Sequence, residues 1–195
     1  MQRGDRELRI VAGSLRGRRW TFPDAAALRP TPDRVRETLF NWLAPHIAGM
    51  RVLDLFAGSG ALAFEALSRG AANAVLVEKD RNVAANLHVT AERFGLAAAR
   101  IEVGEALAFL RMQPARAYSL VFLDPPFDAG LVEPALAVIT ERNLLAPGGF
   151  CYVEQASTRA LPPLPTGWTV HRQGKAGEVG YHLLHAAARD IPGDL

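Results

Sequence analysis

Asp124-Pro125-Pro126-Phe127 puts a carboxylate, two rigid rings and an aromatic face in four consecutive positions. The tetrapeptide closes an apolar run, Tyr118-Ser119-Leu120-Val121-Phe122-Leu123, of the kind that forms a buried strand. Proline cannot donate to a sheet ladder, so the chain must leave the sheet there. Its fixed backbone also aims the preceding carbonyls. The outcome is a charged acceptor on Asp124, a carbonyl acceptor on Pro125 and a flat apolar surface on Phe127. That set suits a planar ring carrying an amino group: the acceptors hold the amine and the phenyl ring stacks on the plane. Taken alone, the four residues suit a strand running into a Pro-Pro turn equally well, with Phe127 in the core.

A strand end does chemistry only if the fold brings other groups to it. From Met50 onward the pattern alternates. Strands are predicted over 51–55, 74–78, 101–103, 119–123 and 150–154, the last entered through a Pro147-Gly148-Gly149 turn. Helices are predicted over 61–68, 81–94, 106–111 and 131–141. Alternating β and α units imply an α/β fold, a doubly wound parallel sheet with helices on both faces. Segments 168–172 and 179–184 flank a Gly-rich turn and read as an antiparallel pair on the sheet edge. Ahead of this body, 8–13 and 14–22 read as a β-hairpin. Asp33 is a candidate N-cap for a helix reaching about residue 44, with Val35, Leu39 and Trp42 or Leu43 on its apolar face. The chain thus divides into a basic hairpin extension (1–23), a linker and helix at the mouth of the site (24–49), a cofactor-binding body (50–188) and a tail (189–195).

Open α/β sheets bind ligands at the carboxyl ends of their strands. Here those ends carry acids repeatedly: Asp54, Glu78, Glu105 and Asp124. The first strand runs into Phe56-Ala57-Gly58-Ser59-Gly60, whose glycines allow close backbone approach and leave amides exposed at a helix start. An acid ending the second strand can accept from both hydroxyls of a ribose. Glu105 and the backbone beside it can bracket an adenine. Together they describe a nucleoside cofactor. The loop lacks the full G-x-G-x-x-G spacing, and Asp54 would repel a pyrophosphate. A cationic ammonium beside Asp54 is welcome, which favours S-adenosylmethionine over NAD.

Composition sets the limits. The 195 residues are 49% hydrophobic, enough for a core, and no apolar stretch approaches the ~18 residues of a membrane helix. The start of the chain is charged and lacks a signal-peptide pattern. Cys151, the single cysteine, lies in an apolar strand and reads as inert core. The five histidines show no ligand spacing, so no metal is expected. A cytoplasmic monomer is the expectation. Residues 1–36 hold nine Arg against four Asp or Glu, a balance of +5, while the remaining residues balance at −3. A basic end on a near-neutral body suggests a polyanion, with Arg16, Arg18 and Arg19 on its phosphates.

The stretch from Asp54 to Gly60, with Glu78 and Asp124-Pro125-Pro126-Phe127, resembles the class I S-adenosylmethionine-dependent methyltransferases of exocyclic amines. Two blocks are narrower. Residues 9–18 and 28–43, the latter holding Arg29-Pro30-Thr31-Pro32-Asp33-Arg34-Val35-Arg36-Glu37, closely resemble the RsmD family. That resemblance implies a seven-stranded methyltransferase sheet with its last pair antiparallel. It implies methylation of guanine N2 in bacterial 16S ribosomal RNA, with S-adenosylhomocysteine as product. It places Asp54, Gly58 and Gly60 at the methionine end of the cofactor, Glu78 at the ribose, and Glu105 and Ala106 at the adenine, with Phe56 and Lys79 also in the cofactor set. Thr31 joins the cofactor set, while Arg29, Arg34 and Pro126 join the RNA side. Three other readings stay open at this point: a DNA adenine or cytosine amino-methyltransferase, an NAD-dependent oxidoreductase, and a non-catalytic RNA-binding assembly factor.

Overall fold

The computed structural model describes residues 6–23 and 31–187. Two short strands, β1 (Arg6–Arg9) and β2 (Arg19–Phe22), pair antiparallel ahead of the main sheet. That sheet comprises β3 (Arg51–Asp54), β4 (Asn73–Glu78), β5 (Ala99–Val103), β6 (Tyr118–Leu123), β7 (Leu145–Ala156), β8 (Trp168–Ala176) and β9 (Val179–Ala186). The helices are α1 (Asp33–Leu43), α2 (Ala61–Ser68), α3 (Arg81–Phe94), α4 (Ala106–Arg111) and α5 (Val132–Glu141). In space the strands run β5-β4-β3-β6-β7-β9-β8. The first five are parallel; β9 is antiparallel to both of its neighbours. The expected parallel sheet with an antiparallel last pair is therefore what forms.

Both faces of this sheet are covered, so its central strands are apolar throughout rather than alternating. β6 shows how the two faces are divided. Leu120 and Phe122 join Val52, Leu76 and Tyr152 beneath α1, α2, α3 and the hairpin. Val121 and Leu123 join Leu53, Val75 and Val153 beneath α4 and α5. Cys151 is buried in the second layer, and burial pushes its thiol pKa upward, away from nucleophilic use.

The hairpin is shorter than its hydrophobic pattern suggests. The Ile10 amide still donates across the hairpin to the Arg18 carbonyl at 2.9 Å, but the chain then leaves β1 because the next amides are engaged on α2. The Val11 and Ala12 amides donate to the Glu65 carboxylate at 2.8 and 3.0 Å, and the Leu15 amide donates to Ser68 Oγ at 3.0 Å. Gly13 approaches so closely that a Cβ there would lie 1.9 Å from the Ser68 carbonyl oxygen. Trp20 is buried edge-on to Phe64 and Phe94, with centroids 5.8 and 6.0 Å away. Its indole N–H donates to the Ser59 carbonyl at 2.8 Å.

α1 departs from expectation at its start. Pro32 occupies the N-cap position, and Asp33 lies inside the first turn, bonded to Arg36 at 2.6 Å instead of capping. Arg36 is fully buried and also donates to the Arg9 carbonyl at 3.1 Å. The apolar face holds Val35, Leu39 and Leu43 as expected, with Phe40 added; Trp42 is only half-buried, against Tyr181. At the other end of the chain, β7 begins five residues earlier than predicted. The Pro147-Gly148-Gly149 segment is absorbed as an irregularity, where the β6–β7 register slips between Tyr118 and Leu120. Among the described residues, no helix is long and apolar enough to cross a membrane.

Candidate active site

β3 has β4 on one side and β6 on the other, so the crossover connections diverge at its carboxyl end. Asp54 is the last residue of β3 and is 2% exposed. Its Oδ2 accepts from the Ala63 amide, in the first turn of α2, at 3.3 Å. Burial drives its pKa from 3.8 to about 7, with repulsion from Glu78 and Glu154 adding and the Ala63 and Phe56 amides opposing. Above it, Gly58 and Gly60 take left-handed φ values of 51° and 78°. A Cβ on Gly60 would meet the Phe64 ring at 2.5 Å, so both conformation and space require glycine there.

Glu78 ends β4 and supports this loop from the side. Its Oε2 accepts from the Gly58 amide at 3.0 Å and its Oε1 from the Asp80 amide at 2.9 Å. The Gly104 amide donates to the Glu78 carbonyl at 3.0 Å, tying the end of β5 to the same rim. Glu105 stands exposed at the N-cap of α4 and makes no capping bond; Ala106 is buried behind it. Val103 is 51% exposed beside them, and Phe56 is half-buried on the loop. Lys79 is exposed. Asp54, Gly58, Gly60, Glu78 and Glu105 thus share one rim.

Across the switch point, Asp124 follows β6. Thr31, itself buried, donates from Oγ1 to Asp124 Oδ2 at 3.4 Å. Pro125 is buried and Pro126 exposed; half-buried Phe127 opens a single 3-10 turn, Phe127–Ala129. Leu123 pairs with Val153, which brings Glu154 of β7 alongside Asp124. Glu154 is 2% exposed and its Oε1 accepts from the Tyr152 hydroxyl at 2.6 Å. Burial lifts its pKa from 4.5 to about 7, against the pull of Tyr152 and Thr31. Asp124 is raised well above the carboxylate range, first by burial and then by Glu154 and Asp54. Two buried acids, Asp54 and Glu154, and half-buried Asp124 therefore crowd one corner, and no cation pairs with them among the described residues.

The basic residues are less uniform. Arg16 and Arg34 are exposed. Arg18 lies over the Phe94 ring, 5.8 Å from its centroid, and Arg19 is paired with Glu7 at 2.6 Å. Arg29 lies outside the described residues.

A family model described as Conserved hypothetical protein 95 matches residues 8–185. The chain belongs to this family, RsmD. It is 44% identical over 186 residues to "Ribosomal RNA small subunit methyltransferase D" of Escherichia coli K12, covering 95% of this chain and 93% of that one. The Haemophilus influenzae protein of the same name is 42% identical over 180 residues, covering 91% and 93%. The solved structure of Escherichia coli yhhF superposes with a TM-score of 0.86 at 44% identity, covering 94% and 99%. An RNA methyltransferase from Salinibacter ruber in complex with S-adenosyl-L-homocysteine superposes at 0.63 and 19% identity, covering 86% and 99%, and shares the fold.

Within the RsmD frame, two features of the corner escape the sequence reading. Glu154 is one: it obeys the rule that singled out Asp54, Glu78 and Asp124, an acid at the end of an apolar strand. Applying that rule to Phe150-Cys151-Tyr152-Val153-Glu154 would have found it. The other is the Trp20–Ser59 bond, which couples the RsmD hairpin to the glycine loop and leaves no mark in local sequence.

Proposed function

We propose that the protein transfers a methyl group from S-adenosylmethionine to the N2 amine of a guanine in small-subunit ribosomal RNA. One juxtaposition carries the reading: Asp124-Pro125-Pro126-Phe127 lies on the same rim as Asp54, the glycine loop and Glu78, on the strand next to β3. Similarity to the ribosomal RNA methyltransferases of two bacteria along nine-tenths of each chain supports small-subunit RNA as acceptor. Such a substrate belongs to the cytoplasm.

The residues present fit the cofactor. Asp54 is a buried acid with no cation beside it among the described residues, as an ammonium partner requires. Glu78 offers acceptors to ribose hydroxyls, with Lys79 flanking it. Phe56, Val103 and Ala106 leave apolar surface for adenine, and the unbonded Glu105 side chain stands at its edge. Thr31 borders the methionine end. When bound, S-adenosylmethionine supplies an electrophilic methyl group.

The protein's own part is to present the nucleophile. The N2 lone pair is delocalised into the purine ring. Asp124 and the Pro125 carbonyl, each accepting one amine hydrogen, draw the nitrogen toward a tetrahedral shape and free that pair. As positive charge develops on nitrogen, the carboxylate of Asp124 stabilises it, and it is placed to take the proton that the methylated nitrogen then sheds. Phe127 stacks on the base and Pro126 borders it. Positioning at about 3–3.5 Å supplies much of the rate gain. Because pairing and stacking bury N2, the base must be unpaired or flipped outward.

The direct test offers tritiated-methyl cofactor to small-subunit RNA and particles from a strain lacking this activity, followed by nucleoside analysis. N2-methylguanosine is expected; label appearing only in adenosine or cytidine, or none at all, would refute the assignment. On the RNA side, Arg16→Glu with Arg18→Glu is expected to weaken RNA binding about tenfold or more at low salt and to flatten its salt dependence by roughly two phosphate contacts. An unchanged slope of log K against log salt would remove these arginines from the interface.

A further inference from the structure

Beside the Asp124 corner a cleft of about 240 Å³ opens between two strand ends. Pro125, Pro126 and Phe127 wall it from the β6 side; Glu154, Gln155 and Arg159 wall it from the β7 side. It is large enough to admit one purine ring and has an aromatic face. Another pocket, about 30 Å³ beside Arg116 and Asn143, lies toward the opposite strand ends and is too small for a base.

The floor of the cleft is unusual. Glu154 is 2% exposed, yet it lines the cleft, next to the acid that grips the amine. Its Oε1 is anchored by the Tyr152 hydroxyl at 2.6 Å, and Thr31 stands between it and Asp124. The Tyr152 hydroxyl donates to it, while Thr31 has one hydrogen to divide between it and Asp124, so the carboxyl is oriented as an acceptor. An amine held by Asp124 and Pro125 would therefore have a second carboxyl beside it in the same cleft, in place to meet the N1 edge of the ring.

That ring atom differs among the bases. In guanine, N1 beside the N2 amine carries a hydrogen. In adenine, N1 beside the N6 amine is a bare acceptor, and so is N3 beside the N4 amine of cytosine. Resting on the guanine reading above, we infer that Glu154 is the specificity-determining residue of the base cleft, accepting the guanine N1–H and rejecting amines whose neighbouring ring nitrogen bears a lone pair. Two facing lone pairs in a desolvated corner are costly, whereas a hydrogen bond to a carboxylate there is strong. Sites built to bond a substrate N–H reject analogues lacking it far more strongly than sites that sense shape alone.

The experiment compares guanine with 2-aminopurine at the target position of ligated small-subunit RNA. 2-Aminopurine keeps the N2 amine but has an unprotonated N1. The parent protein is expected to favour guanine about 100-fold in kcat/KM, the scale of one to two polar contacts. Glu154→Gln keeps the size and the Tyr152 bond but can donate from its amide. Its guanine preference is expected to fall to about threefold or to invert. Tyr152→Phe, which unanchors the Glu154 carboxyl and removes a donor that favours its ionised form, is expected to give an intermediate ratio. If Glu154→Gln lowers both rates equally and leaves the ratio intact, Glu154 is merely structural and the inference falls alone. If the parent makes no N2-methylated product from guanine, the functional reading falls and takes the inference with it.

Discussion

Asp124→Ala is expected to slow methyl transfer about 10³-fold in single-turnover assays, the scale seen when one preorganised polar group is removed from a transition-state site. Binding of S-adenosylhomocysteine, followed by calorimetry, should stay within about threefold, because the methionine, ribose and adenine contacts are assigned to other residues. Folding should survive as well. Asp124 is held against Glu154 and Asp54, and burial already disfavours its charge, so losing the carboxylate relieves repulsion. Asp124→Asn separates two contributions. It keeps a carbonyl acceptor for the amine and loses the charge, so a loss of about 10- to 30-fold is expected, between parent and alanine variant. A transfer rate for Asp124→Ala within tenfold of the parent would show that the amine is activated by something else.

Asp54→Asn has the second large effect, and it acts on stability and affinity in opposite directions. An ordinary aspartate ionises near 3.8, but in the folded protein Asp54 holds its proton to about 7. The folded state therefore binds more protons than the unfolded chain between those values. Stability is highest below pH 4 in this respect, declines as pH rises toward 7, and is lowest above it. The full difference corresponds to at most about 4 kcal/mol. An asparagine removes the titration but leaves one amide hydrogen less well matched, so a net gain of about 2 kcal/mol at pH 8 is expected, some 4–8 °C in Tm for a chain of this size. At pH 4 the gain should vanish. Cofactor affinity should fall about tenfold or more, since a charge-assisted contact to the ammonium is lost. A Tm difference independent of pH, or a variant binding S-adenosylmethionine as tightly as the parent, would refute this account.

These two acids illustrate how far the chain could be read before its fold was seen. α2, α3 and α4 begin and end where the sequence places them, because sharp local signals frame each: Gly60 before α2, Asp80 and Gly95 around α3, Gly104-Glu105 before α4. The strand-end acids followed from the same punctuation. What escaped is what depends on neighbours distant in sequence. Proline and two glycines ordinarily end a strand, yet β7 runs through them because β6 tolerates a slipped register. Nothing local marks Arg36 of α1 for burial, yet it is buried, with Asp33 and the Arg9 carbonyl as partners. Hairpin residues 10–13 look like strand, but Glu65 and Ser68, more than fifty positions away, take up the amides of Val11, Ala12 and Leu15.

The indole of Trp20 has a practical corollary for anyone trimming the chain to a minimal catalytic fragment. Starting such a fragment after the amino-terminal arm would strip Ile10, Trp20 and Phe22 from the main apolar layer. It would uncover Phe64 and Phe94, orphan the Ser59 carbonyl and leave the Glu65 side chain without its two amide donors from the arm. Such a fragment is expected to disturb the glycine loop together with any RNA contact, so the arm's proposed share in substrate capture is better measured by point changes on its outer face.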